Sequence, residues 1–182
     1  MPPMKCAVVG TYSSGKTTLV NGILNATAGS QLLDEKPRRI IALTNNGAMR
    51  VPEVRDYLVV ATLLEEAEVA RRKELFIADG GLVNNLAHDA VLLDSPPSRR
   101  DLLRLFRHRP YDCVFWCDPS GISIEDDGAR FTDPQLRMDL HDAVGNVLKE
   151  LGAEYHVTTG TPEQRLDQAI AVLDRLAGSR PS

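Results

Sequence analysis

No apolar run in the chain approaches the roughly 18 residues of a membrane-spanning helix. Residues 1–5, Met-Pro-Pro-Met-Lys, also lack the hydrophobic core of a secretory leader. Both absences lead to the expectation of a soluble, cytoplasmic protein with no membrane partner. Cysteine is scarce. Cys6, Cys113 and Cys117 are the only three, and each falls inside an apolar run. An odd count without metal-like clustering excludes a disulfide framework and points to reduced, buried thiols in a reducing compartment. Cys113 and Cys117 share one face of a predicted strand and read as core. A basic excess is missing too: 21 Lys and Arg stand against 25 Asp and Glu, a net charge of −4. That argues against a dedicated nucleic-acid binder. Repeats, low-complexity tracts and linker-like stretches are absent. The 182 residues therefore fit one compact domain, 1–182, with its own core.

What is present begins at Gly10-Thr11-Tyr12-Ser13-Ser14-Gly15-Lys16-Thr17-Thr18. The spacing is G-x-x-x-x-G-K-[ST], the phosphate-binding P-loop or Walker A pattern. Gly10 and Gly15 let the backbone turn sharply and approach a phosphate without a Cβ in the way. The amides of the loop, including those of Ser13 and Ser14, then form an anion nest at a helix N-terminus. Lys16 reaches the β- and γ-phosphates, and the Thr17 hydroxyl suits Mg²⁺. The context agrees: Cys6-Ala7-Val8-Val9 reads as a buried parallel strand. Leu19, Val20, Ile23 and Leu24 follow at helical spacing.

Further along, strands are expected over 40–44 and 49–52, the second ending at Glu53. A helix starts at Asp56 and carries a charged face to Glu74. Asp79-Gly80-Gly81 interrupts it, and 82–88 form its last turns. Ala90-Val91-Leu92-Leu93-Asp94 has the form of a Walker B strand, placing Asp94 beside the P-loop as a Mg²⁺ partner of Thr17. A helix over 99–108 carries Arg99, Arg100, Arg104 and Arg107, and with Arg109 these form the one basic patch, read first as a solvated surface. Residues 111–117 read as a core strand. A polar loop over 120–133 follows, long enough for a lid. Pro134 opens a helix, 154–158 form a last strand, and 163–176 a last amphipathic helix. The fold class is α/β: a P-loop NTPase with a parallel sheet and helices on both faces.

Within that class, a guanine-reading N/T-K-x-D segment is missing, which argues against a Ras-like GTPase. Ser95 stands where a ring-forming ATPase carries a second acidic residue after the Walker B aspartate. A lone Asp suits phosphoryl transfer to a bound acceptor better than activation of water. Glu53, at a predicted strand end, is the first candidate to contact the acceptor hydroxyl. Asp34 and Asp79 are weaker ones.

The segments 10–19, Val51-Pro52-Glu53 with Arg55, Leu93-Asp94-Ser95, Tyr111-Asp112 running to Asp118-Pro119, Asp126-Asp127-Gly128-Ala129-Arg130 with Arg137, and 160–166 keep one order along the chain. That set resembles the P-loop kinase family of the ribosylnicotinamide kinase domain of NadR-type proteins, often filed with AAA-type ATP-binding domains. Two departures stand out. Arg55 comes one residue early against V-P-E-x-x-R, and Gly80-Gly81 falls where relatives continue a helix.

The resemblance implies ATP and Mg²⁺ as cofactors, a lid around 119–137, and adenine near Thr161 and Pro162. Thr18 belongs to the nucleotide set. Arg130 and Arg137 are expected to close from the lid on the transferring phosphoryl group, unless they pair with Asp126, Asp127 or Asp133. The expected activity is an ATP-dependent kinase, a transferase moving the γ-phosphate to a hydroxyl of a small, nucleoside-like molecule. The alternatives are a nucleic-acid kinase using the arginine patch, and a non-catalytic ATP-binding module.

Overall fold

The structure is a computed structural model that describes residues 4–33, 47–69, 75–94, 100–108, 110–124 and 131–179. Its centre is strand β1, Met4–Val9. Side chains alternate across a strand, so Ala7 and Val9 enter one apolar cluster while Cys6 and Val8 enter another. Both faces of β1 are thus apolar and both are covered, the arrangement a parallel strand requires.

Four more strands complete the sheet: β2, Gln31–Leu33; β3, Leu75–Asp79; β4, Cys113–Cys117; and β5, Tyr155–Thr158. Their order is β2-β3-β1-β4-β5, and every pair is parallel. Cys6 lies opposite Ile77 on one side and Cys113 on the other. β1 therefore separates the two wings of the sheet. The loops after β1, β3, β4 and β5 gather along one edge, where parallel sheets bind ligands.

One face is covered by α1, Lys16–Ala26, and α6, Pro162–Gly178, through Leu19, Ile23, Ala169 and Leu173. The other carries α2, Pro52–Val69; α3, Gly81–Leu92; α4, Arg100–His108; and α5, Pro134–Leu151. Its core includes Phe76, Leu82, Leu86, Val114, Val144 and Leu148. Local chemistry marks the ends. Pro52, Pro134 and Pro162 open α2, α5 and α6, where a missing N–H costs nothing. Asp133 caps α5, and Thr161 with Gln164 forms a capping box on α6.

The expected α/β fold with a parallel, doubly covered sheet is the one observed. Two elements between residues 70 and 94 differ from expectation. Residues 90–94 are not a strand. Ala90, Val91 and Leu92 end α3, and Asp94 is exposed just beyond it. The strand lies earlier, at Leu75–Asp79. Both are short apolar runs ending in Asp, and periodicity alone does not separate a buried strand from the buried tail of a helix. What separates them is the Gly pair. Gly80 and Gly81 both adopt positive φ, 76° and 52°, so the chain turns there from β3 into a new helix instead of continuing an old one.

The strand expected over 49–52 is instead a 3-10 turn, Gly47–Arg50, running into α2, which Pro52 opens. Glu53 consequently sits exposed in the first turn of a helix, not at a strand end. The strand expected over 40–44 lies outside the described residues, as do Asp34, Asp126, Asp127 and Arg130.

Candidate functional site

The loop between β1 and α1 is held from several sides. A Cβ on Gly10 would lie 2.8 Å from Ser14 Oγ and 3.0 Å from the Cys117 carbonyl oxygen, so only glycine fits. Asn84, in the first turn of α3, grips the same residue twice. Its Oδ1 accepts from the Gly10 amide at 3.1 Å and its Nδ2 donates to the Gly10 carbonyl at 2.9 Å. Ser14 Oγ donates to the Thr11 carbonyl at 2.7 Å. Lys16 Nζ donates to the same carbonyl at 2.8 Å, folding the buried ammonium over the loop. Ser13 has φ 50°, and Gly15 has φ 83°. A left-handed serine costs about 1–3 kcal/mol and persists only where its surroundings over-determine it.

Two arginines do so. Arg137, in the first turn of α5, donates to the Ser13 carbonyl at 2.7 Å, and also to Pro119 and Ile122, each at 2.9 Å. Arg165, in α6, donates to the Ser14 carbonyl at 3.0 Å, to Asp118 at 2.8 Å and to Gly160 at 2.9 Å. Both side chains are buried. Burial draws the Arg137 pKa down from the usual arginine value, yet a guanidinium keeps its charge. Arg137 is thus tied to the P-loop backbone, and its described partners are carbonyls. Asp133, one of its expected acidic partners, uses its carboxylate to cap α5. Tyr12 adds a tie by donating to the Asp133 carbonyl, and burial first, then Asp133, pushes its hydroxyl pKa up to about 12.

Asp79, not Asp94, stands beside the P-loop. The Thr17 hydroxyl donates to Asp79 Oδ2 at 3.1 Å, and Asp79 is 6% exposed at the carboxyl end of β3. A hydroxyl and a carboxylate side by side are hard oxygen donors, the set Mg²⁺ takes when phosphates and water fill its other positions. Among the described residues no group of three or more His, Cys, Asp or Glu could hold a metal. A one-carboxylate Mg²⁺ site is compatible with that.

Next to the P-loop a cleft of about 520 Å³ opens between the loops after β4 and β5. Gly15, Thr18 and Leu19 floor it, Ser120, Gly121 and Ile122 form one wall, and Gly160, Thr161 and Pro162 the other. Most of the second wall is already locked: Thr161 Oγ1 accepts from the Gln164 amide, and Gln168 bonds both the amide and the carbonyl of Thr159. An apolar, preformed slot beside an anion cradle suits a flat heterocycle attached to a polyphosphate.

On the other side of Gly10, α3 and α2 enclose a polar cluster. Arg55, fully buried, donates from Nε to Asp89 Oδ1 at 2.6 Å and from one terminal nitrogen to the Asn85 carbonyl at 2.5 Å. Asn85 donates to the Thr62 hydroxyl at 2.9 Å. His88 Nδ1 lies 2.7 Å from the Asn84 carbonyl. A carbonyl only accepts, so Nδ1 carries the proton. Burial, then the charges of Arg55 and Lys16, lower the His88 pKa to about 3. Glu53 and Asp94 make no hydrogen bond to any of these groups. Asn84, Arg165 and Asp79 were not assigned their places from sequence. Only Asp79 carried a readable signal there, the apolar run 75–78 closed by Asp-Gly-Gly.

Fold and site together define a P-loop α/β fold, with the phosphate-binding loop between the central strand of a parallel sheet and the helix that follows it. A family model described as an AAA domain matches residues 5–165, and the chain belongs to that family. No curated protein matches it. Among solved structures it is similar to NadR in complex with NR, at 19% identity and TM-score 0.76, covering all of this chain and 53% of that one. Deoxyadenosine kinase from M. mycoides with bound dATP is similar at 15% identity and TM-score 0.69, covering 94% and 99% of the two chains. Shikimate kinase from Acinetobacter baumannii in complex with shikimate follows at 15% identity and TM-score 0.56, covering 100% and 96%. At these identities the likeness is one of fold. No helix among the described residues is long and apolar enough to cross a membrane.

Proposed function

We propose that the chain is an ATP-dependent kinase that transfers the γ-phosphate to a hydroxyl of a small molecule, a nucleoside or related metabolite. One observation carries the reading: Thr17 and the buried Asp79 meet at the mouth of a P-loop whose lysine is already folded over it. Phosphoryl transfer is mainly positioning and charge neutralisation. The loop amides of Ser13, Ser14, Gly15 and Thr18 hold the polyphosphate together with Lys16, while Gly10, whose amide is taken by Asn84, shapes the turn. Thr17 and Asp79 would hold Mg²⁺, which would supply positive charge to offset that of the phosphates. Thr161 and Pro162 wall the slot for the base. Asp79 takes the place given to Asp94 from sequence, because Asp94 is an exposed residue past the end of α3.

The acceptor belongs on the α2–α3 side of Gly10. Glu53, exposed at the start of α2, is the carboxylate proposed to orient its hydroxyl. Arg130 is proposed to close from the lid. Solved structures of similar fold include deoxyadenosine kinase with bound dATP, NadR with NR and shikimate kinase with shikimate, which supports a small acceptor. The charge balance supports no polymer substrate. Three free, buried thiols support a cytoplasmic setting.

The test is an assay of the full chain with ATP and Mg²⁺ against a panel of nucleosides and hydroxylated metabolites, read as ADP formed and as phosphorylated product by mass. A product 80 Da heavier than one panel member, formed only with Mg²⁺, is the expected result; the added mass is that of one phosphoryl group, about 80 Da. Hydrolysis of ATP with no phosphorylated acceptor sinks the reading.

A further inference from the structure

The P-loop supplies its amides to an anion, but its carbonyls have partners of their own. The carbonyl of Ser13 belongs to the same peptide group as the amide of Ser14, and the carbonyl of Ser14 to that of Gly15. Arg137 donates to the first carbonyl at 2.7 Å and Arg165 to the second at 3.0 Å. Two guanidiniums, one from α5 and one from α6, thus sit behind two consecutive peptide units of the loop. Each is buried; Arg137 also donates to the loop after β4, at Pro119 and Ile122, and Arg165 to the loops after β4 and β5, at Asp118 and Gly160.

We propose that Arg137 and Arg165 are positioning residues that orient and polarise the Ser13–Ser14 and Ser14–Gly15 peptide units for polyphosphate. The inference rests on the kinase reading and deepens it. Three physical steps carry it. A cation on a carbonyl draws electron density through the peptide and strengthens the N–H on its far side as a donor. Ser13 is left-handed, and the bond from Arg137 to its carbonyl holds that conformation. Both positive charges lie in a site of low dielectric, one peptide away from the anion cradle, where screening by solvent is weak. Neither arginine needs to touch the phosphates to act.

Arginine is the residue type this role needs. One planar fork reaches carbonyls on separate loops at once, and lysine has a single point of attachment. The same forks fasten the P-loop to both walls of the neighbouring slot. Two roles are therefore separable: charging the phosphate cradle, or merely holding the walls of the slot.

The experiment measures binding of inorganic tripolyphosphate and of ATP, by calorimetry, to the wild-type chain and to Arg137→Gln, Arg165→Gln, Arg137→Lys and Arg165→Lys. In each glutamine variant that remains folded, both ligands are expected to weaken by the same factor, about tenfold or more, as loss of a charge-assisted bond implies. Lysine variants are expected to lose roughly threefold, since the charge stays and the fork goes. Weaker ATP with unchanged tripolyphosphate overturns the proposal and leaves the arginines as walls of the slot. Unchanged affinity for both ligands overturns it as well. If a glutamine variant does not fold, the lysine variant at that position decides by the same comparison. Wild-type protein that binds tripolyphosphate but not ATP overturns the ATP reading while the arginine comparison still stands.

Discussion

Asp79 and Asp94 make the sharpest contrast at the scale of single residues. Both end short apolar runs, yet only Asp79 is buried against Thr17. Asp79→Asn keeps the shape and removes the charge that a divalent cation needs. It is expected to cut kcat by about a hundredfold or more and to raise the Mg²⁺ concentration for half-maximal activity. Asp94→Asn is expected to leave both within about twofold, as an exposed position away from the machinery should. Steady-state rates across a Mg²⁺ titration check both, and the reverse ranking would restore Asp94 to the site.

His88 gives a second residue-scale test. Its folded pKa, about 3, lies far below the 6.5 of an open histidine, so the unfolded chain binds the proton first. Stability is therefore complete above pH 6.5 and falls as pH drops from there toward 3. Between pH 7.5 and 5.5 the loss is about 1 kcal/mol from this one group. Urea titrations at the two pH values, on wild type and His88→Gln, should show that increment only in wild type.

Among the elements, α2 and α3 are joined through their interior by Arg55 and Asp89, both buried. Burying such a pair contributes little beyond an apolar pair of the same size, but halving it strands a charge. Arg55→Met is expected to cost about 3–5 kcal/mol, and Arg55→Met combined with Asp89→Leu to recover most of it. Chemical denaturation of the three proteins decides. A double variant no better than the single would mean that Asn85 and Thr62, not the ion pair, hold the helices together.

The same two elements show what was readable beforehand. The P-loop was legible because its requirement is local: glycines, lysine and threonine lie within nine residues, between a strand and a helix. The helices 134–151 and 162–178 were legible through their proline openings and apolar spacing. The division of 75–94 was not, because two apolar runs ending in Asp compete for one strand, and the turn at Gly80-Gly81 together with the register against β1 selects the first. Asn84 and Arg165 were not legible as site residues. Their partners are backbone atoms 74 and 151 residues away in sequence, and such contacts exist only once the sheet has formed.

For the whole molecule, the P-loop ties converge from α3, α5 and α6 and from the strand ends, so nucleotide bound there should be felt by the entire fold. Asn84 joins the loop to α3, Arg137 to α5, and Arg165 to α6. A ligand that binds only the folded chain stabilises it by about 2.7 kcal/mol at a hundred times its Kd. For a chain of this length each kcal/mol raises Tm by about 2–4 °C. MgATP at that excess is therefore expected to raise Tm by roughly 5–10 °C. Lys16→Ala, which removes the ammonium from the loop but leaves the Gly10, Ser13 and Ser14 ties in place, is expected to fold with a near-normal Tm without ligand. It should lose most of the MgATP shift and all measurable phosphotransfer. Calorimetric scans with and without MgATP, beside the product assay, read both quantities from one preparation. A full shift in Lys16→Ala would mean that nucleotide binds somewhere other than this loop. A missing shift in wild type would mean that the many ties around the loop stabilise the free protein alone, and that the site does not take MgATP.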